Sequence, residues 1–167
     1  MAAEAGSPIT GATLLELLPQ QEPFRFIDEI LEVDEEHIVA RYTFRPEADF
    51  YRGHFPGNPI TPGVLLIESM AQTGVVALGI YLVARQKGVE EARRVLTVFS
   101  DVNAEFSGVV RPGDTVTISA RKLFFRRMKL RAEVEMHKAD GSLVATATVA
   151  GMGVEAVALG EQEGSGA

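Results

Sequence analysis

Residues 64–84, VLLIESMAQTGVVALGIYLVA, form the longest apolar run in the chain, and Glu68 is its only charge. A helix of this length could nearly span a bilayer. Glu68, Ser69, Gln72, Thr73 and two glycines make it a core helix of a globular domain instead. Apolar around most of its circumference, such a helix must be enclosed, and a curved sheet can enclose it. Whatever else the chain does, it has to wrap this segment.

The rest of the sequence supplies the wrapping. Arg25 to Asp34 and His37 to Phe44 are rich in Ile, Val, Phe and Tyr, with Asp34-Glu35-Glu36 as a polar turn, so two antiparallel strands are expected. Four more are expected after the helix: Val95 to Phe106, Asp114 to Phe124, Met128 to Lys138 and Ser142 to Met152. Leu130, Ala132, Val134 and Met136 alternate with Arg131, Glu133, Glu135 and His137, the period of a sheet with one wet face. Arg111-Pro112-Gly113-Asp114 and Ala139-Asp140-Gly141-Ser142 read as turns. Thr13 and Glu16 have capping-box spacing, so a short helix should begin at Thr13 and stop before Pro19. The fold class expected is α+β: an antiparallel curved sheet around one long central helix. At 167 residues the chain suits one domain, placed over 11–153, with flexible tails over 1–10 and 154–167.

Composition excludes several functions. A net charge of -7 argues against nucleic acid as the main partner, and the absence of cysteine removes disulfides, thiol nucleophiles and thiolate metal sites. The N-terminal MAAEAGSPIT has no basic start followed by an apolar run, so no secretory signal is read there and a cytoplasmic location is expected. The cations Arg121, Lys122, Arg126, Arg127, Lys129 and Arg131 are grouped, which reads first as a solvated strand face.

The chemistry concentrates in GHFPGNPITPG, residues 53–63, and the helix after it. Pro56, Pro59 and Pro62 fix the backbone around His54, and a stiff frame places an imidazole where a reaction needs it. Glu68 lies among Leu65, Leu66, Ile67, Met70 and Ala71, where desolvation favours the neutral acid over a surface or ion-paired carboxylate. The amides from Gly63 onward are the unpaired donors of the helix start, suited to an acyl carbonyl oxygen. A histidine base, a neutral carboxylic acid and an amide clamp suit proton abstraction α to a thioester with loss of a β-hydroxyl. His54 and Glu68 need not converge within one chain, and a two-fold dimer could join them. His37 and His137 lie in alternating strands and read as wet-face residues.

The run GHFPGNPITPGVLLIESMAQ, residues 53–72, resembles the signature of (3R)-hydroxyacyl-acyl carrier protein dehydratases of the FabA/FabZ type, with support from LLPQQEPFRFIDEI and RPGDTV. The resemblance implies a hotdog fold, with His54 as base and Glu68 as acid from opposite subunits of a homodimer. It also implies Gly63 as carbonyl clamp; Phe55, Pro62 and Val64, next to these positions, are candidates to border the substrate. Glutamate at 68 is similar to the FabZ branch, which yields a trans-2-enoyl thioester without isomerisation. The implied partner is an acyl carrier protein bearing the substrate, with no cofactor and no metal, and a trimer of dimers is the larger assembly in view. The chain departs from the family pattern at Gln20-Gln21 and at Glu105-Phe106-Ser107-Gly108, where members carry basic residues. Arg126, Arg127 and Lys129 are the candidates to replace that charge in carrier docking. Two other readings stay open: a hotdog acyl thioesterase, and a silent acyl-binding or dimerisation module.

Overall fold

The computed structural model describes residues 8–156. Helix α1, Gly11–Leu17, precedes strands β1, Glu29–Val33, and β2, His37–Thr43. A 3₁₀ turn at Asp49–Arg52 and an irregular loop lead to the central helix, Gly63–Lys87. After a short helical turn at Val89–Ala92 come β3, Val95–Phe106, β4, Thr115–Arg126, β5, Lys129–Lys138, and β6, Leu143–Glu155. Among the described residues the strands form one antiparallel sheet in the order β1-β2-β4-β5-β6-β3. It wraps the central helix as the apolar run required.

The alternation in β5 does what its period dictates: Leu130, Ala132, Val134 and Met136 are buried and meet the helix. Where the helix lies closest to the sheet there is no room for a side chain. A Cβ at Gly74 would stand 2.8 Å from Val134 Cγ2 and 3.1 Å from the Ala120 Cβ. The helix also changes pitch: Gln72–Ala77 is π-helical between the α-helical segments Gly63–Ala71 and Leu78–Lys87. This is the one described helix long and apolar enough to cross a membrane, and its apolar surface is spent on the sheet.

Several boundaries differ from expectation, three of them with a visible cause. Helix α1 begins at Gly11, capped by Thr10, whose hydroxyl accepts from the Thr13 amide at 3.1 Å. Thr13 is therefore the capped residue and not the cap. Gly11 lies against β1 so closely that a Cβ there would be 2.3 Å from the Ile30 carbonyl oxygen, and this contact fixes the start. The first strand starts at Glu29, because Phe24 to Phe26 is bonded by helix side chains in place of a neighbouring strand. Strand β6 runs on to Glu155, and the Ala156 amide bonds Arg94 O at 3.0 Å. Residues 1–7 and 157–167 of the expected tails lie outside the described residues.

The β4–β5 turn carries no glycine. Arg127 and Met128 both adopt positive φ, 50° and 63°, as the mirror-image hairpin turn requires of its two central residues. At the β5–β6 turn the expected Gly141 takes φ 85°.

Candidate active site

The loop after the 3₁₀ turn is built from backbone hydrogen bonds. His54 N donates to Phe50 O at 3.0 Å, Ile60 N donates to His54 O at 3.0 Å, and Phe55 and Asn58 exchange a pair at 3.2 and 2.9 Å. The loop is tied to the body of the domain by Thr61 N to Val110 O, 2.8 Å, and by the Tyr51 and Thr61 hydroxyls, 2.6 Å apart. Within this frame His54 Nδ1 lies 2.8 Å from Ile60 O. A carbonyl can only accept, so Nδ1 carries the hydrogen and the neutral ring keeps its lone pair on Nε2. The ring is half-buried and stacks on Phe55 with centroids 4.1 Å apart.

Glu68 is positioned by the central helix and by one amide. Four residues on lies Gln72, fully buried, whose Nε2 donates to Glu68 Oε1 at 2.9 Å and to Phe24 O at 2.8 Å. Its Oε1 accepts from Phe26 N at 2.8 Å, and Ser69 Oγ donates to Phe26 O at 2.8 Å. Half-buried Glu68 lines a cavity of about 60 Å³ with Gln20, Ala71, Val75, Val76, Thr97, Phe99 and Gly151. His54 is not among the residues lining it. Within the single chain, then, the acid candidate meets an apolar space and the base candidate stands on a separate loop.

Pro62 precedes the helix, and its carbonyl accepts from Leu65 N and Leu66 N at 2.9 and 3.3 Å. The amides of Gly63 and Val64 have no acceptor among the described residues. Gly63 is closely covered: a Cβ there would sit 3.1 Å from Phe106 Cζ. Phe55, Val64 and Phe106 are exposed, at 51%, 72% and 49%. Phe106 and Gln72 are the residues that sequence reasoning missed. The i, i+4 spacing from Glu68 was a signal for Gln72; nothing local pointed to Phe106.

The basic cluster divides in two. Arg121 pairs with Glu133, Lys122 with Glu36 and Arg131 with Asp101, which matches a solvated strand face. Arg126, Arg127 and Lys129 make no ion pair among the described residues and line an open groove of about 590 Å³ with Phe124 and Met152. His37 faces Glu32 and Asp34, and His137 approaches Glu135 at 4.0 Å; both histidines are partly exposed. Hydrogen bonds to Glu32 and then to Asp34 raise His37 above its usual range. No cluster of three or more His, Asp or Glu side chains suited to a metal occurs among the described residues.

The family model described as FabA-like domain matches residues 18–151. The chain belongs to the FabA-like family. Among curated relatives of this FabA-like domain, the 3-hydroxyacyl-[acyl-carrier-protein] dehydratase FabZ of Acetivibrio thermocellus is 37% identical over 139 residues, covering 82% of this chain and 89% of the relative. The enzyme of the same name from Acidiphilium cryptum is 36% identical over 148 residues, covering 88% and 86%. The dehydratase heterocomplex ApeI:P from Xenorhabdus doucetiae superposes with a TM-score of 0.72 at 16% identity, covering 90% of this chain and 97% of that one. A Haemophilus influenzae thioesterase superposes at 0.53 with 19% identity, covering 76% and 78%. At such identities these structures speak for the fold, and the antiparallel sheet around one long helix is the hotdog fold.

Proposed function

We propose that this FabA-like domain is a hydro-lyase that converts (3R)-hydroxyacyl thioesters carried on acyl carrier protein to trans-2-enoyl thioesters, in fatty acid or related acyl chain biosynthesis. The curated FabZ relatives, similar over most of their length, support the reaction. The observation that carries the residue assignment is the bond from His54 Nδ1 to Ile60 O, which leaves Nε2 as the basic atom.

The steps follow from the chemistry of the groups. His54 Nε2 removes a proton from C2, the C–H electron pair becomes the C2–C3 double bond, and the C3–O bond breaks. Glu68, beside the apolar cavity, gives a proton to the departing hydroxyl, which leaves as water. The free amide of Gly63 donates to the thioester oxygen as negative charge gathers there. Phe55, Pro62 and Val64 border that position. Incubation with a 3-hydroxyacyl thioester tests the reading: a 2-enoyl product supports it, whereas free thiol supports the thioesterase alternative and neither product supports a silent binding module.

The two catalytic groups are joined by a second copy of the chain. Edge strand β3 exposes Val98, Phe99, Val102 and Phe106, a face suited to a two-fold homodimer that presents His54 of one subunit to Glu68 of the other. A hexamer built from three such dimers is the larger assembly consistent with this proposal, and the cytoplasm is its expected location. The carrier docks at Arg126, Arg127 and Lys129, whose unpaired charges suit an acidic partner. Reversing the charge of Arg126 and Arg127 together raises KM for a carrier-bound substrate by about tenfold and spares a short soluble thioester. Equal effects on both substrates remove the docking assignment.

A further inference from the structure

Strand β3 ends on Phe106, and the tip of that ring is seated on the first residue of the central helix. A Cβ built on Gly63 would stand 3.1 Å from Phe106 Cζ, 3.4 Å from Cε1 and 3.6 Å from Cε2. The Cα–Cβ bonds of a helix tilt toward its N-terminus, and the free amides of the first turn point the same way. The ring tip therefore fills the place of a side chain at this position, beside the Gly63 amide. No side chain caps this helix start, and the Gly63 N–H has no acceptor among the described residues.

Phe106 is only half-exposed, so the ring keeps a free surface next to that donor. A hydrogen bond to a developing oxyanion is worth more where water is kept away. Carbon and C–H at the ring tip offer water no partner, and the positive edge of the ring does not repel a negative oxygen.

We propose that Phe106 is a positioning residue for the thioester carbonyl: its ring tip keeps water off the Gly63 amide and leaves that donor to the substrate oxygen. The proposal rests on the dehydratase reading above, which gives the amide to the thioester, and deepens it. It also supplies a reason for glycine at 63, because a side chain there would displace the ring.

The test uses the full chain and a saturated acyl thioester, isotope-labelled at the carbonyl carbon, which binds without turning over. In the parent protein the infrared band of the bound carbonyl lies at lower frequency than in free solution. Phe106→Ala moves the band back toward its free position, lowers kcat for a 3-hydroxyacyl thioester by about tenfold and leaves KM within about threefold. An unmoved band, an unchanged kcat or a loss confined to KM overturns the assignment. Phe106 also belongs to the exposed face of β3, so sedimentation follows the oligomeric state. If the alanine variant misfolds or changes assembly, Phe106→Leu, which keeps apolar bulk without the ring tip, is read in the same way. Gly63→Ala tests the contact from the other side with the ring intact: the added Cβ pushes the ring aside, the amide stays, and kcat falls by about tenfold. A parental band and kcat in that variant overturn the proposal. In a chain that already carries Phe106→Ala, or Phe106→Leu in its place, Gly63→Ala costs about threefold at most; an equal cost with and without the ring also overturns it. Absence of enoyl product from the unaltered protein overturns the dehydratase reading itself, and the carbonyl band still reports on Phe106.

Discussion

The loop that carries His54 and the helix turn that carries Glu68 fix their side chains by different means. Around His54 the partners are backbone groups: Phe50 O, Ile60 N and Ile60 O, with the Phe55–Asn58 exchange closing the loop. Around Glu68 the partner is one side chain, Gln72, which also holds the backbone at Phe24 and Phe26. A backbone frame depends on φ and ψ, hence on the prolines and glycines, and tolerates changes in its other side chains. A frame made by one amide depends on that amide.

The largest effect expected is on the proposed base and acid themselves. His54→Ala and Glu68→Gln each lower kcat by about a hundredfold or more, with little change in the denaturation midpoint. Unchanged turnover in either variant would break the pairing of loop and helix as halves of one site.

Next comes the supporting frame. Gln72→Met removes the partners of Phe24 O and Phe26 N and should cost about 1–3 kcal/mol in urea denaturation, with a fall in turnover as Glu68 loses its donor. Asn58→Ala, in the loop, leaves the backbone exchange intact and should change stability by less than about 0.5 kcal/mol. Similar losses in both would show that the two regions do not differ in the way described.

The smallest effect sharpens the contrast between the site and the wet face. The hydrogen bond from the Glu36 amide is the main influence lowering Asp34 below its ordinary value of 3.8, and Glu32 and Asp34 raise His37 above 6.5. Because the folded value of His37 is raised, its contribution is complete below pH 6.5 and is lost as pH rises through the raised value. Because the folded value of Asp34 is lowered, its contribution is present above pH 3.8 and is lost as pH falls through the lowered value. Both side chains are well exposed, at 43% and 53%, so the sum stays under about 1 kcal/mol. The stability difference between parent and His37→Asn should therefore shrink from pH 6 to pH 8; a constant difference would sink this account.

Much of this architecture is written in local patterns. The alternation of Leu130 to Met136 declares a half-wet strand, and the bounds of β3 match those read from its residues. The helix starts at Gly63, directly after Pro62, as its signals imply. What escaped depends on distant contacts. The capping-box spacing of Thr13 and Glu16 put the start of α1 too late; the helix begins at Gly11, capped by Thr10, where Gly11 closely approaches Ile30. The run from Arg25 looks like strand, but its backbone bonds go to Gln72 and Ser69. The Arg127-Met128 turn lacks the glycine or asparagine that would announce it. His54 and Glu68 could be singled out from the proline frame and the lone charge.

The Gln72 amide makes the two oxygens of the Glu68 carboxyl unlike. Its nitrogen already gives a hydrogen to Glu68 Oε1, so Oε2 is the oxygen that Gln72 leaves free. A single oxygen, on one edge of the group, is then left for a second partner.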